Sequence, residues 1–302
     1  MTRTASRPRL EAIPVFYSER MAAEIESFSP SAGKPRQAVL SWCALGLPLR
    51  IVTPQPVRVD QFCLAHDRGH VADILACRTR NGFGNKSQAI AETLPWTSGA
   101  MLSAAREAMA NRLVAIAPCS GFHHAAYDTT GGFCTFNGLM VTAAVLLDEG
   151  HVARVGILDC DTHYGDGTDD IRRQLRLEAH VPHYSAGTKW HEHGQAGDFL
   201  RTLPSLVESF AGCGVLLYQA GADPHVDDPL GGWLTTAQLA KRDTIVFETA
   251  HKIGLPVAWN LAGGYQTPLR RVLDIHDNTL RACVEAFATT CEAFAFACAG
   301  VQ

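Results

Sequence analysis

The run Asp159-Cys160-Asp161-Thr162-His163-Tyr164-Gly165-Asp166-Gly167 sets three carboxylates and an imidazole within eight residues. If the backbone stays extended there, alternate side chains share a side, so Asp159, Asp161 and His163 project together. Asp161 and His163 can then grip one ion. Asp223, which follows the apolar run 214–219, is a natural third ligand. Three protein ligands leave positions for water and substrate, as a catalytic Zn2+ requires. The oxygen-rich donor set also suits Fe2+ or Co2+. An Asp-x-His pair at a strand end is, on its own, more often a cap or a salt-bridge cluster. Two further loops of matching chemistry reverse that balance. A second bridging ion would need Asp where Gly165 and His225 stand, so one catalytic ion is expected.

The second loop carries Gly121-Phe122-His123-His124. Adjacent histidines can be a satisfied surface pair; beside a metal they can serve as general base and general acid. Asp159 and Asp166 are the carboxylates available to orient them, fix their tautomers and raise their basicity. The third loop, Ala262-Gly263-Gly264-Tyr265, presents a phenol on a glycine turn. Such a phenol can polarise a carbonyl and stabilise an oxyanion.

These loops must be held by something. Residues 13–17, 113–117, 154–159, 179–184, 214–219 and 256–261 read as short buried strands. Residues 58–78, 89–111, 136–149, 198–211, 235–252 and the C-terminus from about 268 read as helical. Continuous apolar strands alternating with helices predict an α/β fold with a parallel sheet covered on both faces. Four strands end in Gly-, His- or Asp-rich loops, at 118–132, 159–168, 221–232 and 262–266. Open α/β sheets bind ligands at the carboxyl ends of their strands, so the loops predict one site. Residues 1–10 read as a loose N-terminal arm and 11–302 as a single catalytic domain, with no linker dividing it.

Composition narrows the function classes. Of 302 residues, 47% are apolar, enough for one large core, and the formal net charge is −4. There is no basic field to hold nucleic acid or an anionic membrane. No stretch approaches the length of a membrane span, and the N-terminus lacks the apolar region of a signal peptide. None of the ten cysteines forms a C-x-x-C pair, which argues against a zinc knuckle or redox motif and for buried, reduced thiols in a cytoplasmic protein. A homo-oligomer is left open.

Taken in order, the motifs Gly-Phe-His123-His124-Ala, Gly-Gly132-Phe133-Cys-Thr-Phe-Asn137, Asp159-Cys-Asp161-Thr-His163-Tyr-Gly-Asp166-Gly-Thr, Gly-Ala-Asp223-Pro-His-Val-Asp-Asp228-Pro-Leu230-Gly-Gly and Gly-Gly264-Tyr265 closely resemble the histone deacetylase family, which includes bacterial deacetylase-like amidohydrolases and acetylpolyamine hydrolases. The resemblance runs from about Phe16 to the last helix. It implies a single-domain arginase/deacetylase-like fold with a parallel sheet of about eight strands and helices on both faces. It implies Zn2+ at Asp161, His163 and Asp223, with His123, His124 and Tyr265 as catalytic groups. Phe133 matches an aromatic lining the acyl-lysine tunnel, and Gly132, Gly264 and Leu230 fall beside the substrate path. A separate K+ or Na+ near Asp159 is compatible, since relatives often hold one. Lys34-Pro35-Arg36 resembles a segment whose arginine lies near an internal exit channel, and Trp190 is expected as a tunnel wall. Tyr164 departs from the family's usual second histidine, and the segment 81–85 and the loop 185–197 do not align.

The activity implied is hydrolysis of an acyl-lysine or related N-acyl amine by metal-activated water, with a histidine protonating the leaving amine. Two alternatives stand beside it. Polyamine-selective relatives place a glutamate near Leu230, so an apolar residue there weakens the acetylpolyamine reading, although an acid such as Glu192 could replace it. The other alternative is a non-catalytic, metal-holding binding protein.

Overall fold

A computed structural model describes residues 8–289. The chain runs β1 (Ile13–Phe16), α1 (Lys34–Ala44), β2 (Leu49–Val52), α2 (Val59–Phe62), α3 (Arg68–Leu75), α4 (Gln88–Asn111), β3 (Val114–Ser120), α5 (Gly138–Asp148), β4 (Val155–Asp159), α6 (Asp166–Gln174), β5 (His183–Ser185), α7 (Ala196–Ser209), β6 (Val215–Gln219), α8 (Thr236–Ile253), β7 (Val257–Ala262) and α9 (Arg270–Phe287). The strands form one parallel sheet in the order β2-β1-β3-β7-β6-β4-β5. Seven strands are present among the described residues, against about eight expected.

The inner strands are apolar without alternation because both their faces are covered. β4, β6 and β7 are buried at every position. α4 packs along β3 and β1 with α5 beside it, while α1, α9, α8 and α7 form a second group of neighbours. One continuous core results, with Trp42, Trp259, Phe247 and Phe287 among its largest side chains.

Three elements escape the periodicity reading. β2 is a four-residue edge strand in which only Leu49 is buried. α1 begins on Lys34-Pro35, with proline at its permissive first turn. α6 starts inside the Asp159–Thr168 loop and buries only Gly167, Thr168 and Ile171. Charge supports it: Asp166 and Asp169 lie in its first turn, Arg172 and Arg173 in its last, as the helix dipole favours. The single helix expected over 58–78 is two, because Asp67 caps α3 by accepting the His70 N–H.

Leu10 is paired with the end of α9, its N–H on Phe287 and its carbonyl on the Thr289 N–H. Residues 1–7 of the expected arm lie outside the described residues. Cys63, Cys77, Cys119, Cys134, Cys160, Cys213 and Cys283 are free thiols. Cys43 is not, and it corrects the expectation of uniformly reduced cysteines. No helix among the described residues is long and apolar enough to cross a membrane.

Candidate active site

β3, β7, β6 and β4 are consecutive in the sheet. Their carboxyl ends therefore lie side by side, and the loops bearing His123, Tyr265, Asp223 and Asp161 meet above them. Asp161, His163 and Asp223 converge: one ligand atom from each lies within 4.8 Å of the others. His163 Nδ1 sits 3.1 Å from Asp161 Oδ1 and 3.1 Å from Asp223 Oδ2.

The convergence does not come from an extended strand. β4 ends at Asp159, and the Asp161 carboxylate accepts the His163 N–H at 3.0 Å, closing an Asx turn. The extended backbone on which Asp159, Asp161 and His163 were expected to share one side is therefore absent. Asp159 accepts the Asp161 N–H at 3.1 Å and meets the His123 ring, whose other nitrogen lies 3.7 Å from Asp161.

Electrostatics identify what the triad needs. Burial raises the Asp223 carboxyl well above the usual carboxylate range, and the adjacent Asp161 charge adds to the rise. Against its own burial, Asp161 is held well below the usual carboxylate range, chiefly by His123 and His163. Hydrogen bonds to both carboxylates push His163 up to about 11. Burial and the neighbouring Asp161 thus favour a proton on Asp223, and a divalent cation in its place would let both buried acids ionise. The surroundings hold the oxygens in place. Asp161 Oδ2 accepts the Gly263 N–H at 2.9 Å, and Asp223 Oδ1 accepts the Thr162 N–H at 3.3 Å. Gly263 must be glycine, since a Cβ there would lie 2.4 Å from Asp223 Oδ2.

The two histidines each have a carboxylate on Nδ1. His123 meets Asp159 at 2.7 Å in full burial, and His124 meets Asp166 at 2.7 Å near the surface. Their rings are 4.1 Å apart. Burial opposes charge on His123, but Asp159 and Asp161 outweigh it and raise the group to about 9. Burial, then the neighbouring His123, lowers His124. Gln219, which the sequence reading left unassigned, ties this arrangement together: its amide donates to Asp159 at 2.9 Å and accepts the Phe122 N–H at 3.2 Å.

Tyr265 lies beside the triad. Burial and the charges of Asp161 and Asp223 push its phenol up, so it keeps its proton. Its hydroxyl takes no hydrogen-bond partner among the described residues, whereas its N–H donates to Asp228 Oδ2 at 2.8 Å. The other oxygen of Asp228 accepts the Leu230 N–H at 3.1 Å. One carboxylate thus straps the tyrosine turn to the Leu230 loop. An open pocket of about 460 Å3 leads outward, lined by His124, His163, Tyr164, Asp166, His191 and Leu230.

Phe133 adopts φ 64°, an uncommon value for a bulky residue. The otherwise unplaced 81–85 segment braces it: Gly82 O accepts the Phe133 N–H at 3.2 Å and the Phe83 ring lies 5.9 Å away. Gly132 backs the His124 ring, where a Cβ would come within 2.3 Å. Gly264 packs against Val272 and Ala222. Tyr164 donates its hydroxyl to Asp169 at 2.6 Å.

Two expectations are overturned. Trp190 is no tunnel wall; it is buried against Phe199 and Trp233, with its indole N–H on the Tyr184 hydroxyl at 2.6 Å. Apolar area drives it into that aromatic cluster. Arg36 is not near an interior channel. It pairs with Glu19 at 2.6 Å and Glu24 at 3.2 Å on the surface. Residues two apart on a helix face different ways, and it is Lys34 that α1 turns inward. Lys34 is fully buried, with burial pulling it down to about 8, and it donates to the Ala262 carbonyl. The N–H of that same peptide unit, on Gly263, holds Asp161.

The geometry has counterparts. A family model described as the histone deacetylase domain matches residues 27–186 and 177–280. A probable deacetylase from Methanothermobacter thermautotrophicus is 24% identical over 276 residues, 80% of this chain and 81% of that protein. Acetylpolyamine amidohydrolase 2 from Pseudomonas aeruginosa is 28% identical over 175 residues, 47% of this chain and 48% of that protein, so the match spans about half its length. The crystal structure of the HDA15 HD domain superposes with a TM-score of 0.72 at 19% identity, covering 90% of each chain. The family match spans well over half of the chain, and the chain therefore belongs to the histone deacetylase domain family of hydrolytic deacetylases.

Proposed function

We propose that this chain removes the acyl group from acetylated lysine or a related small N-acyl amine, using one divalent ion held by Asp161, His163 and Asp223. The observation that carries the reading is the convergence of those ligands beside two histidine–carboxylate pairs and a phenol whose hydroxyl is uncommitted. When bound, Zn2+ supplies Lewis acidity that polarises the amide carbonyl and lowers the pKa of water toward about 7. His123 and His124 have Nδ1 engaged by Asp159 and Asp166, so each offers Nε2 for proton transfer. One accepts the proton of the attacking water, and a histidine then protonates the leaving amine. Tyr265 donates its hydroxyl to the oxyanion of the tetrahedral intermediate. Gly165 favours a single ion, because even a Cβ there would sit 2.8 Å from Asp159 Oδ2. A K+ or Na+ ion beside Asp159 belongs to the same reading, supported by the oxygens gathered there: Ser185 Oγ lies 3.5 Å from Asp159 Oδ2 and 3.4 Å from the His163 carbonyl oxygen.

The similarity to an acetylpolyamine amidohydrolase supports a second reading, an acetylpolyamine substrate. Leu230 offers no carboxylate to a distal ammonium, but exposed Glu192 follows His191 at the pocket mouth. The test is turnover of a fluorogenic acetyl-lysine amide and of several acetylpolyamines, with and without a chelator, followed by reloading with Zn2+, Fe2+ or Co2+. Chelator-sensitive acetate release is expected, and the ratio of the two substrate classes decides between the readings. No release from either class after reloading would sink both and leave a metal-holding binding protein.

A further inference from the structure

Phe28 is 63% exposed, more than any other large apolar side chain among the described residues. Its ring is nevertheless engaged. It stacks on Tyr265 with centroids 6.1 Å apart and planes 18° apart, and on Phe133 at 6.5 Å and 27°. Phe133 and Tyr265 are themselves 5.8 Å apart. Phe28 thus completes a triangle of rings with Phe133 and Tyr265.

Burial in this segment is inverted. Ser29 and Ser31 are 3% and 9% exposed and hydrogen-bonded to each other at 2.7 Å, while the phenyl group between solvent and site stays out. Burying a phenylalanine ring stabilises a fold, and at 63% exposure this arrangement forgoes most of that gain. The loop is not slack. Ala23 N donates to Ala32 O at 2.9 Å, and the Ser31 carbonyl accepts the Ser120 hydroxyl at 3.0 Å. Ser120 ends β3, the strand that delivers His123 and His124. The segment holding Phe28 is therefore strapped to the strand that positions the histidines, and its exposed ring is set there rather than left over.

We infer that Phe28 is a specificity-determining residue, forming with Phe133 and Tyr265 one aromatic wall of the substrate passage and packing the methylene chain between the scissile amide and the rest of the amine. This rests on the amide-hydrolase reading above. Ring faces attract C–H groups and cations and offer nothing to an anion. The wall therefore selects a slender, unbranched, uncharged or cationic chain.

The test uses the zinc-loaded protein and two metal-binding probes, acetohydroxamate, which has no chain, and an unbranched six-carbon alkyl hydroxamate. Their dissociation constants are measured by calorimetry on wild type and Phe28→Ala, with the thermal midpoint as a folding control. The alkyl hydroxamate is expected to lose about tenfold in affinity, as removal of one ring's contact area implies. Acetohydroxamate should stay within twofold and the midpoint should hold. Equal changes for the two probes, or none for either, overturn the assignment of Phe28. Failure of acetohydroxamate to bind wild type overturns the metal-site reading instead, and the assignment falls with it.

Discussion

Removing the Tyr265 hydroxyl tests the chemistry without touching an ion ligand. Packing alone would make Tyr265→Phe nearly neutral. A donor to a developing oxyanion is worth about 10²–10³ in kcat. We expect that loss in Tyr265→Phe, with ion content and thermal midpoint unchanged. A kcat within twofold of wild type, ion intact, would refute the oxyanion role. Leu230, 40% exposed at the pocket mouth, tests selectivity. Leu230→Glu places a carboxylate where a polyamine's distal ammonium would pass, so the acetylpolyamine to acetyl-lysine ratio of kcat/KM should rise. Unchanged ratios across several polyamines would remove Leu230 from the specificity argument. The triad and its histidine pairs were legible in the sequence because metal and acid–base chemistry need particular residue types. Phe28, Gln219 and Asp228 act through stacking or through hydrogen bonds to distant loops, and their residue types do not announce such roles.

Glycines at element crossings carry packing that propensity scales miss. Gly99 lies in the middle of α4, where alanine would gain up to about 1 kcal/mol of helix propensity. A Cβ there would sit 2.1 Å from the Gln55 carbonyl oxygen and 2.9 Å from Pro56 Cα, both backbone atoms with little room to move. Overpacking costs about 1–3 kcal/mol, so Gly99→Ala should destabilise on balance. Urea titration should show a lower midpoint at unchanged slope, and a higher midpoint would contradict the close approach of α4 to this segment. The long apolar helices and inner strands were readable from periodicity. β2 and α6 were not, because β2 is a short edge strand with one buried residue and α6 rests on its end charges. α1 was legible, since Pro35, Ala38, Val39 and Trp42 repeat at helical spacing, but it was passed over.

The sheet order couples the ion site to the stability of the molecule. Four adjacent strands deliver Asp161, Asp223, His123 and Tyr265 to one place, and crowding two buried carboxyls together favours a proton on Asp223 that a cation would displace. Ion binding to the folded chain alone should stabilise it by about 2.7 kcal/mol at a free concentration of one hundred times Kd. A chelator-treated sample should then melt lower, on the order of 5 °C, and recover on addition of Zn2+. His163→Ala should lose both the ion and the recovery. A midpoint indifferent to Zn2+ in the wild type would show that the triad does not hold the ion.

Residue chemistry and its order along the chain were enough to place the family, the convergence of Asp161, His163 and Asp223, the histidine–carboxylate pairs and the parallel α/β plan. Those features rest on local types: carboxylates, imidazoles and a phenol at the ends of apolar runs. Direction and reach were another matter. An Asx turn rather than an extended strand brings Asp161 and His163 together. Helix phase sends Lys34 inward and Arg36 outward. Apolar area draws Trp190 into a cluster with Phe199 and Trp233 and away from the substrate path. Phe28 reaches Tyr265 although 237 positions separate them, through a strap between Ser31 and Ser120 that no local pattern encodes. Each of these outcomes depends on contacts between segments far apart in the chain, which local sequence patterns do not specify.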